Sequence, residues 1–366
     1  MTEKNHKKPA TRTNGKTGDQ SAPNQSRSKA GTTRRSVLIG AGAAAAAATT
    51  FKINPIGYAQ ARTTGTCTIY ASMPSEFLDK MAQKFNSLDT GVTLQTFYAP
   101  TYQAYERVNA ELRANRVNAD LLLLADPGPF LELKAQDELL SYDSEVYKHY
   151  PAGNFDPDRT WVNGRSLATM ITVHDQVEGL PQTWLDFADA RWANKTGMID
   201  VRVGGTAYNW YYTLRQIYPK DYWAEVAALN PVLQRGHGQL MDQLVTRQLD
   251  ITEQLGYYAW SFITTRQAPI VPVYPTDIVP ITMAPLAILR RAPNPEPAKV
   301  VFDWWLSKEG QEFLQQTNGV YSVRNDVAPL EGKPRFSELK TIAYDLEAYS
   351  AQREAYQAEF VEIFGL

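Results

Sequence analysis

The sequence predicts an α/β fold built as two lobes around a hinge that the chain crosses twice. Strand-like and helix-like patterns alternate along the chain, as they do in an α/β sheet. Four consecutive leucines, Leu121 to Leu124, are stopped by Ala125-Asp126-Pro127, which marks a strand buried on both faces of a parallel sheet. Once residues 1–61 are set aside as an export signal, 305 residues remain, more than one hydrophobic core usually holds.

The first of these elements is the signal itself. Residues 1–33 are polar and basic, a composition that cannot offset the entropy of ordering. Arg34-Arg35 then precede Ser36-Val37-Leu38-Ile39 and a Gly/Ala stretch to Ala48. A basic region, a short weakly apolar region and a small-residue site describe a cleavable secretory signal. The adjacent arginines point to the twin-arginine route and hence to the Tat export machinery. Ala59-Gln60-Ala61 fits the cleavage rule, so the mature chain is expected to start at Arg62, in the periplasm. The apolar stretch is too short to span a membrane, which takes about 20 apolar residues. The leader carries ten of the 37 basic and two of the 39 acidic residues, so its removal takes the formal charge from −2 to −10. Such a chain repels nucleic acid and anionic membranes at long range, and neither is expected as a partner.

The mature chain opens with a β-branched run, residues 66–72, followed by a helix with Phe77, Leu78, Met81, Ala82 and Phe85 on one face. Residues 92–97 alternate as a strand, 104–113 read as a helix, and 121–124 as the buried strand. The second lobe is expected from 166 to 274, with the first lobe formed by 62–165 and 275–366. In the second lobe, 181–187 reads as a capped helix on a surface excursion. Residues 197–201 read as a strand, and Gly204-Gly205-Thr206 leads into a helix to Ile217. Gly236-His237-Gly238 leads into another helix to Arg247, and 250–255 and 271–274 read as strands returning toward the first lobe. A stripe of Ala298, Val301, Phe302, Trp305 and Leu306 and the run 307–316 read as helices.

Few residue patterns here carry chemistry. Gly204-Gly205-Thr206 at a helix start suits an anion, because first-turn N–H groups point outward and the helix dipole adds partial positive charge. Arg202 lies two residues upstream as a forked cationic partner, and the same pattern would serve as an ordinary turn with Thr206 as N-cap. His237 sits in a similar glycine-flanked turn. Asp126 follows the carboxyl end of a buried strand, the edge at which open α/β sheets bind ligands, or it caps the helix after it. Tyr257 and Tyr258 are adjacent and would offer hard oxygen ligands to ferric iron, although the abundance of tyrosine suits packing equally well. The single cysteine, Cys67, supports no internal disulfide and no zinc ribbon, and reads as a buried inert thiol. Signature motifs for hydrolases, metalloproteases, nucleotide-binding loops and dinucleotide folds are missing. No enzyme activity and no cofactor are therefore expected, although carboxylates are numerous enough to keep a secreted hydrolase as a remote alternative.

The chain resembles bacterial extracellular solute-binding proteins of the ferric-iron, thiamine and phosphonate/organophosphate group. The resemblance rests on residues 119–127, 181–187, Gly205-Thr206-Ala207 and 273–277, and above all on 292–299 continuing through 305–311. It implies a type II periplasmic-binding-protein fold and a receptor that docks on an ABC permease with its ATPase. It also implies ligand contacts from Ser72, Ser75, Asp126, Gly205, Thr206, Tyr258, Thr276 and Asp277. The ferric branch usually carries a histidine or tyrosine just after the first strand, where this chain reads Ser72-Met73-Pro74-Ser75. The expected ligand is therefore a small organic anion of phosphate or phosphonate type, and ferric iron held by Tyr257 and Tyr258 is the alternative.

Overall fold

The computed structural model describes residues 63–343 and 345–366; the leader and its cleavage site lie outside the described residues. The chain opens with β1 (Gly65–Ala71), α1 (Ser75–Asn86), β2 (Val92–Tyr98), α2 (Thr101–Arg113), β3 (Leu121–Leu123) and α3 (Gly128–Ala135). It continues through β4 (Val162–His174), α4 (Trp184–Phe187), β5 (Thr196–Ile199), α5 (Gly205–Arg215), α6 (Lys220–Ala228), β6 (Val232–Gln234) and α7 (His237–Val245). Then come β7 (Ile251–Leu255), α8 (Gly256–Arg266), β8 (Ile270–Val273), β9 (Ile281–Ile288), α9 (Pro295–Leu306), α10 (Lys308–Asn318), α11 (Leu346–Ala351) and α12 (Arg353–Phe364).

The strands run in the order β2-β1-β3-β9-β4-β7-β5-β6, with β8 beside β4. β1 pairs in parallel with β2 and β3, and β9 runs antiparallel to β3. The long strand β4 joins the two halves. Its residues up to Ala168 pair with β9, and those from Thr169 pair with β7. Beyond β8, residues 274–280 lead back to β9. Every residue of β4 is buried.

The leucine run behaves as its pattern requires. Leu121 and Leu123 enter the core under α1 and α9, whereas Leu122 and Leu124 face the core under α2 and α3. This alternation fills both faces of a central strand. The second half is organised around Trp184, Trp210 and Trp223, all fully buried. Their rings meet edge-on or tilted at 5.1–5.6 Å, arrangements that aromatic quadrupoles favour. Asn294 stands at the N-cap position of α9 without a side-chain cap bond, and Pro295 follows at the first position, where a missing N–H costs nothing. Cys67 is buried within β1, and burial pushes its thiol pKa up.

Two parts of the chain sit differently from expectation. The 181–187 segment is not a free surface excursion. A Thr183/Asp186 capping box starts α4, and Trp184 donates from its indole nitrogen to the Ile278 carbonyl at 2.9 Å. The end of the chain does not stay with the first half either, because Phe360 of α12 is fully buried in the second-half core.

Candidate functional site

The site is organised around β4. Arg165 lies in the part of β4 that pairs with β9, and it is 1% exposed. Its Nη2 donates to the Ser72 carbonyl at 3.1 Å. Its Nε and Nη1 are buried and have no hydrogen-bond partner among the described residues. Among the described residues, the groups whose charge bears on it are the phenols of Tyr257 and Tyr258. Burial therefore pushes the guanidinium pKa down. A buried cation with two idle donors is an expensive arrangement unless something anionic completes it.

Contacts run from Arg165 around a closed circuit through both halves. Ser72, just past β1, accepts on Oγ from the Ala125 amide at 2.8 Å. Ala125 and Asp126 lie against Gly205, where an added Cβ would stand 2.3 Å from the Ala125 oxygen and 2.5 Å from the Asp126 Cβ. The next residue, Thr206, has its Oγ1 3.4 Å from His237 Nε2. The His237 ring lies 5.6 Å from that of Tyr258, and Tyr258 lies 4.6 Å from Tyr257. The phenols of Tyr257 and Tyr258 bear electrostatically on Arg165, where the circuit began. Tyr98, exposed at the end of β2, acts on both phenols from the first half.

Three helices begin on this circuit: α5 at Gly205, α7 at His237 and α8 at Gly256. Gly204, Gly236 and Leu255 precede them, and none supplies a side-chain cap. The outward N–H groups of each first turn are thus left without the usual side-chain acceptor. Thr206 is within the first turn and is not the N-cap, which is Gly204. Behind His237 stands Glu253 of β7, fully buried, with its Oε1 accepting from the Ile199 amide at 3.0 Å. Its Oε2 and His237 Nδ1 face each other at 4.0 Å, both otherwise unpartnered among the described residues. Burial pushes His237 down to about 4 and Glu253 up to about 8, so both are neutral near pH 7. Burial also raises the pKa values of Tyr257 and Tyr258.

Of the residues singled out in the sequence, the structure brings Ser72, Asp126, Gly205, Thr206, His237, Tyr257 and Tyr258 onto this circuit. Asp126 is fully buried, accepting from Tyr102 Oη and from the Gly128 amide at the start of α3, each at 2.8 Å, and its Cβ lies against Gly205. Three others are engaged elsewhere. Arg202 closes a fork onto Asp200, with Nε–Oδ1 at 2.9 Å and Nη2–Oδ2 at 2.6 Å. Thr276 donates its amide to the Gln182 carbonyl at 2.8 Å. Asp277 accepts from the Trp184 amide at 3.0 Å and from the Tyr218 hydroxyl. The Thr276 and Asp277 contacts hold the α4 turn, and the Arg202 fork holds the turn before α5, so none of the three joins the circuit around Arg165. Ser75 opens α1 and is exposed. Arg165 and Glu253 were not singled out in the sequence. The available signal was a charged residue inside a strand pattern at the point where the halves join.

A profile of the family described as "Bacterial extracellular solute-binding protein" matches residues 68–317. A solved structure of iron-bound HitA from Pseudomonas aeruginosa superposes with a TM-score of 0.71 at 15% identity, over 81% of this chain and 99% of that one. The periplasmic binding protein AfuA from Actinobacillus pleuropneumoniae, with fructose-6-phosphate bound, superposes with a TM-score of 0.73 at 19% identity, over 83% and 100% of the two chains. An uncharacterized protein of Haemophilus influenzae is 26% identical over 193 residues, 51% of this chain and 56% of that relative. The chain thus spans about half the length of that relative. These likenesses give the architecture as that of type II periplasmic binding proteins. The chain belongs to the bacterial extracellular solute-binding proteins.

Proposed function

We propose that this protein is the solute receptor of an ABC importer and that it takes a small organic anion of phosphate or phosphonate type. One observation carries the choice of anion: the fully buried Arg165 guanidinium has two donors without partners. The ligand's anionic group completes Arg165 and shares the Ser72 and Tyr258 edges of the circuit. The first turns of α5, α7 and α8 add donors and partial positive charge. Thr206 and His237 supply short polar contacts to the rest of the solute. Closure of the halves removes the charge pair from water, which strengthens every contact made there. The closed form then presents one surface to the permease, and the ATPase drives release. The receptor binds its ligand without turnover.

Ferric iron is the second reading, favoured by the Tyr257–Tyr258 pair and by the iron-bound HitA neighbour. Against it stands the charge of the site. A trivalent cation would need deprotonated phenols beside an uncompensated guanidinium, at the positive ends of three helices. The AfuA neighbour, with a sugar phosphate bound, fits this charge pattern.

Isothermal titration calorimetry with fructose 6-phosphate, inorganic phosphate and ferric citrate tests the proposal. Heat from the phosphate ester in wild type and none in Arg165→Met supports it. Binding of ferric citrate alone, undiminished in Arg165→Met, refutes it.

A further inference from the structure

The two halves of the molecule are joined a third time, by the end of the chain. α12 is anchored to the second half by apolar burial and strong polar contacts. Phe360 is fully buried and meets the Tyr211 ring at 5.5 Å. Glu359 accepts from Arg215 Nε at 2.7 Å and from Tyr211 Oη at 2.6 Å. Gln357 donates to the Val201 carbonyl at 3.2 Å. Just before it, Tyr349 of α11 is buried, and its carbonyl accepts from Tyr208 Oη at 2.6 Å.

The same segment reaches the first half through α11, where Leu346 packs on the core under α2 and α3 and Ser350 lies beside Gly128, and through the polar side chain of Arg353. Arg353, the first residue of α12, places its guanidinium 5.2 Å from the centre of the Tyr102 ring. Its Nη2 lies 3.4 Å from Glu132 Oε1 on α3. Tyr102 in turn donates to Asp126 at 2.8 Å, and Arg353 is the cation whose charge bears on that buried carboxylate. A Cβ on Gly128 would lie 3.5 Å from Arg353 Nη1, so the guanidinium rests on the start of α3. The anchor on the second half is a packed helix, and on the first half the Arg353 cation, on an aromatic face beside two acids, adds to the Leu346 contact of α11. If α12 moves with the second half on which it packs, separating Gly205 from Asp126 draws Arg353 away from Tyr102 and Glu132.

We infer that Arg353 is a positioning residue for solute capture: it latches the second half's terminal helix onto the first half beside Asp126, and so sets how far the empty receptor stands open. This goes beyond the proposed anion specificity. It rests on the two-part architecture alone, so it is tested without a ligand and stands or falls separately.

The test is double electron–electron resonance on ligand-free protein spin-labelled at Lys80→Cys on α1 and Glu225→Cys on α6. Both positions are exposed, and the native Cys67 is buried. Wild type is expected to show a dominant short distance. A cation–aromatic contact with a partly exposed ion pair implies that Arg353→Ala raises the ratio of open to closed molecules roughly two- to fivefold. Arg353→Lys should recover only part of the closure, since an ammonium loses the planar contact with the ring. Glu132→Gln, a partly exposed acid, should open the molecule less than Arg353→Ala. It serves as the test if the alanine variant fails to fold. Distance distributions unchanged in Arg353→Ala and Glu132→Gln, both folded by circular dichroism, overturn the latch. A loss of melting temperature with no change in distance assigns Arg353 to structure alone and also overturns it.

Discussion

Gly205 of the second half lies directly against Asp126 of the first, with no room for even a methyl group between them. Glycine is required at this position by close approach, because the first turn of α5 seats on the Ala125 carbonyl. Gly205→Ala should therefore hold the halves apart. Small-angle scattering is expected to show a larger radius of gyration than wild type, and ligand affinity should fall at least about tenfold, for the roughly 1.4 kcal/mol that this factor represents. An unchanged radius and affinity would mean that this contact does not set closure.

Arg165 gives a prediction in which function and stability part company. Uncompensated burial of a charge costs several kcal/mol, while the single bond to the Ser72 carbonyl returns only about 1 kcal/mol. Without ligand, Arg165→Met should melt at the wild-type temperature or above it. Solute binding should be lost and with it the ligand-induced rise in melting temperature. A variant that melts well below wild type would show that Arg165 is a structural residue with a satisfied charge.

The buried pair Glu253 and His237 predicts a pH dependence of opposite sign for its two members. Glu253 has a folded pKa of about 8, above its ordinary value of 4.5. The folded protein thus keeps a proton the unfolded chain has lost, and stability falls as pH rises through that window. His237 is held at about 4, below its ordinary 6.5, so its contribution is lost as pH falls between those values. Above pH 6.5 only Glu253 acts. The melting temperature of Glu253→Gln relative to wild type should therefore climb between pH 6.5 and 8, as read by scanning calorimetry. A difference that stays flat across that range would contradict the burial of an acidic proton.

Trp210 is fully buried among Trp184, Phe187 and Trp223. Trp210→Ala should cost about 3–5 kcal/mol by removing a large side chain from a packed core. Urea unfolding followed by fluorescence checks this, and a loss below about 1 kcal/mol would mean that the site collapses freely.

What the sequence made legible was local. The leucine run, the Thr183/Asp186 capping box and the glycine-led starts of α5 and α7 are each encoded within a few residues. Other relationships depend on contacts across the chain. The bond from the Trp184 amide to Asp277, 93 positions away, has no local signature. Arg165 reads as an ordinary strand arginine. Its significance comes from the burial of β4 where the halves join, under the Ser72 turn and Tyr257, and no local pattern reports that. Phe360 likewise shows no preference for either half until α12 meets α5 and α6.

The proposed capture of an organic anion by Arg165 and the first turns of α5, α7 and α8 is measured directly by native mass spectrometry of protein isolated from the producing cells. The expected result is a co-purified organic anion on wild type that is absent from Arg165→Met. Bound iron with a visible tyrosinate band, retained in Arg165→Met, would contradict it.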